Sequence, residues 1–334
     1  MTGVLVTGGA GFIGSALVRR LVRDGFSVRV LDNESRGAGS RLTDVRSAID
    51  FIVGDIRDEA VVRRAVDGVR MVHHLAYVNG TENFYKHPDL VLDIAIRGMI
   101  NVLRASTDAQ VKEFYLASTS EVYQQAEIIP TDETVALSVP DPLNPRYSYG
   151  GGKIACELMA LHMLGDLIPK VTIYRPHNIY GPAMGWEHVI PQFASRLFDL
   201  TKGGHKSPLP FAIQGDGQQT RSFCHIDDFI DGVLMVQEKG RHREIYHIGT
   251  EDEVTIATLA RKMAEASGLT IELKPGLEAK GGTPRRCPSI VKMRGLGYKP
   301  RISLDEGLRP VLDWYWKQLG ESSVLRAPSA ASAG

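Results

Sequence analysis

The sequence predicts an α/β fold, a doubly wound parallel sheet followed by a smaller C-terminal lobe. Three observations predict it. Over the first 175 residues, Val/Ile-rich strand patterns alternate with helical ones. Such alternation builds a parallel sheet covered by helices on both faces. A glycine-rich turn (Gly8, Gly11, Gly14) joins the first strand candidate to the first helix candidate. An acid, Asp32, ends the second strand candidate, 18 residues beyond Gly14. A strand, a glycine turn, a helix and a distal acid together define a Rossmann-type arrangement.

The strand candidates are residues 4–8, 27–32, 49–55, 71–76, 113–118 and 170–176, with helical periodicity over Ile13 to Arg23, Glu59 to Val66 and Leu90 to Ala105. Beyond residue 176, Gly/Pro-rich stretches alternate with short helical pieces such as 190–200, while a helix at 227–237 and a strand at 244–249 return to the sheet. The expected division is 1–175 plus about 222–250 for the sheet domain and 176–221 plus 251–320 for the second lobe. The low-complexity end, 321–334, is expected to be a flexible tail. Three glycines, Gly150 to Gly152, precede the helical spacing of Ile154, Leu158 and Leu161. That is a poor helix start, since each glycine costs roughly 0.5–1 kcal/mol relative to alanine.

Of the 334 residues 43% are hydrophobic, and Lys+Arg and Asp+Glu both number 39. No global basic field recommends nucleic acid or an acidic membrane surface. Cys156, Cys224 and Cys287 are far apart, with no CxxC, which argues against a disulfide framework. No run approaches the roughly 18 apolar residues of a membrane span. A cytoplasmic protein with no nucleic-acid or membrane partner is expected.

GxxGxxG between a strand and a helix gives a tight turn, close approach of the backbone to a pyrophosphate, and a helix N-terminus with its positive dipole. Phe12 and Ile13 belong to that turn. Asp32 can accept hydrogen bonds from ribose hydroxyls and repels a 2′-phosphate, favouring NAD over NADP. Arg36 is the counter-signal. Asn33 beside Asp32, and Asp55-Ile56 after the third strand, are expected against the adenosine half. His73-His74 and His225 lack the Asp/Cys/His cluster that a metal site needs.

Tyr149 and Lys153 stand four apart and so share a helix face. An ammonium beside a phenol lowers the phenol's pKa, and a phenolate near neutrality is a competent base for a hydroxyl proton. Tyr147, six residues from Lys153, does not share that face. "ASTSEVY" (117–123) ends the fifth strand candidate, where ligands bind in open α/β sheets. Thr119 offers a hydroxyl that can share the substrate proton, and Glu121 a carboxylate on the same loop.

The motifs "TGGAGFIG", "LDN", "GDIRD", "HLA", "STSEVY", "YSYGGGK", "RPHNIYGP" and "QTRSFCHIDD" follow one another over residues 3 to about 300. Through them the chain resembles the extended short-chain dehydrogenase/reductases that modify nucleotide sugars. The resemblance implies retained NAD that oxidises a sugar carbon, usually C4, to a ketone. It implies Tyr149 as base, Lys153 orienting it and the nicotinamide ribose, and Thr119 polarising the sugar hydroxyl. Leu75, Ala76, Tyr77, Ser118, Pro176 and His177 would line the cofactor. Ser120, Asn178 and Arg221 would reach the substrate, with Arg285 as a second diphosphate ligand.

Glu121 resembles the glutamate of the 4,6-dehydratases and UDP-glucuronate decarboxylases, where epimerases carry a small or neutral residue. Ser120 and "GDGQQTRSF" resemble the decarboxylases. "YGPAMG" departs from them in lacking an arginine after Gly-Pro, Ala95 departs from the common asparagine, and "GGGK" from a serine-containing spacer. A lyase is therefore expected, with a 4-epimerase as the alternative and a catalytically silent NAD-binding regulator as a third. The regulator would have lost Tyr149, Lys153 or Thr119, and all three are present. A homodimer through helices Leu90–Ala105 and Lys153–Leu164 is a family expectation.

Overall fold

Strand residues that are apolar on both faces demand cover on both. A computed structural model describes residues 3–202, 207–277 and 283–326. In it β1 (Gly3–Thr7), β2 (Ser27–Asp32), β3 (Ile49–Val53), β4 (Met71–His74), β5 (Glu113–Ala117), β6 (Lys170–Pro176) and β7 (Glu244–Ile248) form one sheet. The order is β7-β6-β5-β4-β1-β2-β3, and every pairing is parallel. The strand order reverses between β1 and β4, and the crevice outside the carboxyl ends of such a pair is where open α/β sheets bind ligands.

The helices of this unit are α1 (Phe12–Arg23), α2 (Glu59–Val66), α3 (Thr81–Lys86), α4 (Pro88–Asp93), α5 (Met99–Asp108), α6 (Tyr147–Met163), α7 (Ile226–Lys239) and α8 (Val291–Leu296). On one face α2, α5 and α6 bury Val62, Val102 and Ala160 with Leu5, Val72 and Phe114 of the strands. On the other, α1, α7 and α8 bury Leu17, Phe229 and Met293 with Val4, Val6 and Tyr115. Leu5 facing opposite to Val4 and Val6 is the period-two alternation of a strand. The helix expected over Leu90 to Ala105 starts earlier, at Pro88, and passes from α4 to α5 through a π turn at Ile94–Gly98.

Two expectations need correction. Gly150 to Gly152 do not precede a helix. They lie inside α6, which begins at Tyr147. A Cβ on Gly150 would stand 2.4 Å from Gln124 Nε2 and 3.0 Å from the Glu121 carbonyl oxygen, and one on Gly152 2.3 Å from the Tyr77 hydroxyl. At Gly151 the nearest atom is Val139 Cγ2 at 3.4 Å, an ordinary contact. Close approach at two of the three positions is what the glycines permit.

The second correction concerns the domain limits. The chain divides into two compact units, the first of Met1–Ile179, Ser222–Asp252 and Arg286–Arg301. Residues 286–301 were expected in the second lobe. They join the sheet unit because Ile290, Met293 and Tyr298 are buried in its α1/α7 core.

The second unit comprises Tyr180–Arg221, Glu253–Arg285 and Ile302–Gly334. It contains helices Val189–Lys202, Ile256–Ala266 and Leu304–Arg326, and a parallel pair of strands, Leu209–Ile213 with Ile271–Pro275. Its last helix is anchored by aromatic residues. The buried Tyr315 donates to the Met184 carbonyl at 2.7 Å, and the Trp316 indole to that of Ala194 at 3.0 Å. Of the tail expected at 321–334, residues 321–326 continue this helix, and 327–334 lie outside the described residues. No helix among the described residues is long and apolar enough to cross a membrane.

Candidate active site

The β1–β4 crevice is shaped by backbone that tolerates no side chain. Gly8 has φ +72°, and a Cβ there would lie 2.7 Å from the Ala76 nitrogen; one on Gly14 would lie 2.1 Å from the Gly8 carbonyl oxygen. Gly11 N donates to Gly8 O at 3.1 Å, and Ser15 N to Gly11 O at 2.9 Å. These bonds fold the turn and open α1, with Phe12 and Ile13 partly buried against the α1/α7 core. The result is a cradle of N–H groups at a helix N-terminus, suited to a diphosphate.

The opposite wall is equally fixed. The Thr7 hydroxyl pairs with His74 Nδ1 at 2.8 Å and accepts from Ala76 N at 3.3 Å, while Leu75 N donates to Thr7 O. Burial and the charge of Lys153 push the His74 pKa down to about 3, so the ring is neutral. His73 stacks on Tyr115. Both histidines are thereby parts of the scaffold.

Asp32, nearly buried at the end of β2, accepts from Ala10 N at 2.9 Å and from Glu34 N at 2.8 Å. It braces the glycine turn while lining the crevice together with Asn33, Asp55 and Ile56. Asn33 donates to Asp55 at 2.9 Å. Hydrogen bonds from Arg57 hold the Asp55 carboxyl down at about 2, so it is ionised.

Tyr149 is 8% exposed. Its ring stacks on Phe84 at 4.8 Å and meets Tyr77 edge-on at 5.3 Å. Burial pushes its pKa up to about 12, a hydrogen bond with Thr119 and the charges of Arg36 and Arg286 pull it down, and Glu121 pushes it up. The Lys153 ammonium, expected beside the phenol, takes other partners. Lys153 donates instead to the Ala117 carbonyl at 2.7 Å, and its nitrogen lies 4.1 Å over the Tyr77 ring. Burial lowers the Lys153 pKa to about 8. An i,i+4 pair shares a helix face, but here one side chain points to the strand end and the other to the Thr119 turn.

Thr119 caps the short turn Ser120–Tyr123, accepting from Glu121 N at 3.1 Å. The Glu121 carboxylate accepts from Arg286 Nη1 at 2.6 Å, with the two side chains 27% and 13% exposed. Arg286 is the residue that sequence reasoning missed. The "PRR" run points to Arg285, as a diphosphate ligand, and says nothing of Arg286. Residues 285 and 286 form a strand, so their side chains face opposite ways. Arg285 is held in the second unit by Glu253 Oε2 at 2.9 Å.

Other expected residues are placed as follows. Ser118, also buried, donates to Glu157, whose carboxylate forms a bidentate pair with Arg175 (2.9 and 2.6 Å). Arg175 in turn donates to Tyr123, so α6, β6 and the Thr119 turn are joined through buried polar groups. Ser120 is buried on that turn. Pro176 ends β6, and His177 is 1% exposed and packed beside His247 at 4.6 Å between ring centroids. Asn178, at φ +43°, donates to the Ser222 carbonyl at 3.0 Å. Arg221, in the second unit, donates to the carbonyls of Thr220 and Thr283, each at 2.7 Å.

The model of the NAD dependent epimerase/dehydratase family matches residues 4–249, most of the chain. The chain belongs to that family. It is 33% identical over 327 residues to a dTDP-glucose 4,6-dehydratase of Streptomyces griseus, covering 95% of this chain and 94% of the relative. It is 32% identical over 324 residues to UDP-glucuronic acid decarboxylase 1 of Arabidopsis thaliana, covering 95% of this chain and 71% of the relative. Among solved structures it superposes on the UDP-glucose 4-epimerase of Thermotoga maritima with bound UDP-glucose (TM-score 0.83, 30% identity, 95% and 100% of the two chains). The family's members are enzymes that use NAD, and the cradle of Gly8 and Gly14 with Asp32 beyond it fits that cofactor.

Proposed function

We propose that this enzyme modifies a nucleoside-diphosphate sugar by C4 oxidation followed by lyase chemistry at C5, a dehydration or a decarboxylation. Glu121 is the observation behind the lyase reading. A carboxylate clamped by Arg286, on the turn that also holds Thr119 and felt electrostatically by Tyr149, is a second acid/base beside the first. Oxidation at C4 needs one acid/base; taking the C5 proton in a dehydration, or protonating C5 after CO₂ leaves, needs a second.

NAD, when bound, accepts the C4 hydride and can return it. Thr119 hydrogen-bonds Tyr149 and shares the sugar hydroxyl's proton, which Tyr149 takes up. Lys153, fixed by Ala117 and Tyr77, would hold the nicotinamide ribose through its ammonium. With C4 a ketone, Glu121 accepts the acidified C5 proton as hydroxide leaves C6, or delivers a proton to C5 after the carboxylate there departs as CO₂. Ser120 and Asn178 complete the proposed substrate contacts within the sheet unit. Leu75, Ala76, Tyr77, Ser118, Pro176 and His177 complete those to the cofactor.

The second reading is a 4-epimerase, favoured by the likeness to the Thermotoga enzyme. It requires Thr119, Tyr149 and Lys153 and leaves Glu121 a purely electrostatic role. A homodimer belongs to the proposal too. Leu92 and Ile96, in and just after α4, and Leu158 and Met163 of α6 are exposed apolar residues that a second copy would cover. So does a cytoplasmic setting, in which the buried thiols stay reduced.

An NMR time course with dTDP-, GDP- and UDP-hexoses and UDP-glucuronate tests the proposal. A 4-keto-6-deoxy sugar, or a pentose with released CO₂, supports it. An inverted C4 alone supports the epimerase, and no turnover of any overturns both.

A further inference from the structure

The segment between β2 and β3 lines the cofactor crevice through Asn33, Ser35, Arg36 and Gly37. Its backbone is tied down along its length. Glu34 N donates to Asp32, and the Glu34 carboxylate accepts from Gly39 N at 2.6 Å. A Cβ on Gly37 would lie 2.7 Å from the Ala10 carbonyl oxygen, so this segment lies directly against the glycine turn. Arg41 donates to the carbonyls of Ala10 and Arg36, at 3.2 and 3.3 Å, locking the two loops together. From this braced loop the Arg36 side chain reaches the far wall and donates to the Asn79 carbonyl, five residues past β4.

The charges lining the crevice give this arrangement a purpose. Asp32 and Asp55 are its acids, and among the described lining residues Arg36 is its one cation. A dinucleotide brings two diphosphate charges into a crevice whose own carboxylates repel them. The N–H cradle answers on one side only. A guanidinium answers phosphate bidentately.

We propose that residues 33–41 form a strap over the bound NAD and that the Arg36 guanidinium grips the cofactor's diphosphate, slowing its release. This gives the sequence's counter-signal a different meaning. Asp32 engages one oxygen at the glycine turn and the other at Glu34 N, and as a carboxylate at the end of β2 it repels a 2′-phosphate, whereas Arg36 reaches away from it to Asn79. The charge of Arg36 also reaches Tyr149 and favours its phenolate, so the strap connects cofactor retention with the catalytic end of the crevice. A redox-neutral reaction that returns its hydride gains from a cofactor that does not exchange.

Arg36 is solvent-exposed and outside both cores, so replacing it spares the fold. Wild type, Arg36→Met and Arg36→Lys would each be loaded with NAD, and release followed by trapping free NAD with a second dehydrogenase, at low and high salt. Melting temperatures without NAD check folding. Arg36→Met should release NAD about 10- to 100-fold faster and lose most of the salt dependence, with Arg36→Lys in between. Release at the wild-type rate overturns the strap. So does a loss confined to NADP binding, which would assign Arg36 to the 2′-phosphate. The readout needs no sugar, so it stands or falls separately from the proposed lyase chemistry.

Discussion

Arg286 Nη1 donates to Glu121 Oε1 at 2.6 Å, joining residues 165 positions apart on the edge of the Thr119 turn. The pair fixes the direction of the Glu121 carboxylate, as a base for C5 requires. Glu121→Gln should therefore separate the two halves of the reaction. C4 oxidation should persist, seen as a rise in reduced-nicotinamide absorbance in single turnover, while product formation falls about 100-fold or more. Arg286→Met should show the same split more weakly. Equal loss of both halves would make the pair structural.

Tyr149→Phe removes the base and leaves the ring on Phe84 and Tyr77. Its expected signature is loss of the oxidation step itself, about 10²- to 10⁴-fold, with NAD binding and melting temperature unchanged. Isothermal titration with NAD and single-turnover absorbance measure the two sides. Undiminished reduction of the cofactor would remove Tyr149 from the mechanism.

Lys153 gives a pH dependence with a definite sign. Its folded pKa, about 8, lies below the usual lysine value of 10.5 because the ammonium is buried. The folded state thus binds fewer protons than the unfolded state between these values, and stability rises with pH across that window. The penalty is fully present below pH 8. Lys153→Met should stabilise the cofactor-free protein there, by on the order of 1–3 kcal/mol, and the gain should fade between pH 8 and 10.5 while activity is lost. Melting curves across that range check it; a gain that grows with pH would contradict the burial argument.

The three glycines of α6 should respond unequally. Gly150→Ala and Gly152→Ala press on Gln124 and the Glu121 carbonyl, and on Tyr77, respectively, and should lower both activity and stability. Gly151→Ala meets little and should stabilise by about 0.5–1 kcal/mol through helix propensity. Chemical denaturation of the three variants tests this order.

Much of this was legible in the chain because local periodicity and spacing encode it. The apolar alternation of Val4 to Val6, the Gly8–Gly14 spacing and the terminal acid Asp32 were enough for the sheet, the turn and the cofactor. What was hidden depends on contacts between distant segments. Lys153's neighbours, the Ala117 carbonyl and the Tyr77 ring, come from the end of β5 and the segment after β4, which helix spacing within α6 cannot show. The arginine that meets Glu121 differs from its neighbour Arg285 only in the face its strand turns inward. Gly150 to Gly152 resembled a helix breaker because the close approach of Gln124 and Tyr77 leaves no local mark.

The central claim is that chemistry reaches C5, and one measurement addresses it most directly. Turnover of the nucleotide sugars in D₂O, followed by proton NMR of the product, reports whether C5 exchanged with solvent. Solvent deuterium at C5, in a 4-keto-6-deoxy product or in a pentose, and its disappearance in Glu121→Gln, is the predicted result. A product inverted at C4 with its C5 proton fully retained would contradict it.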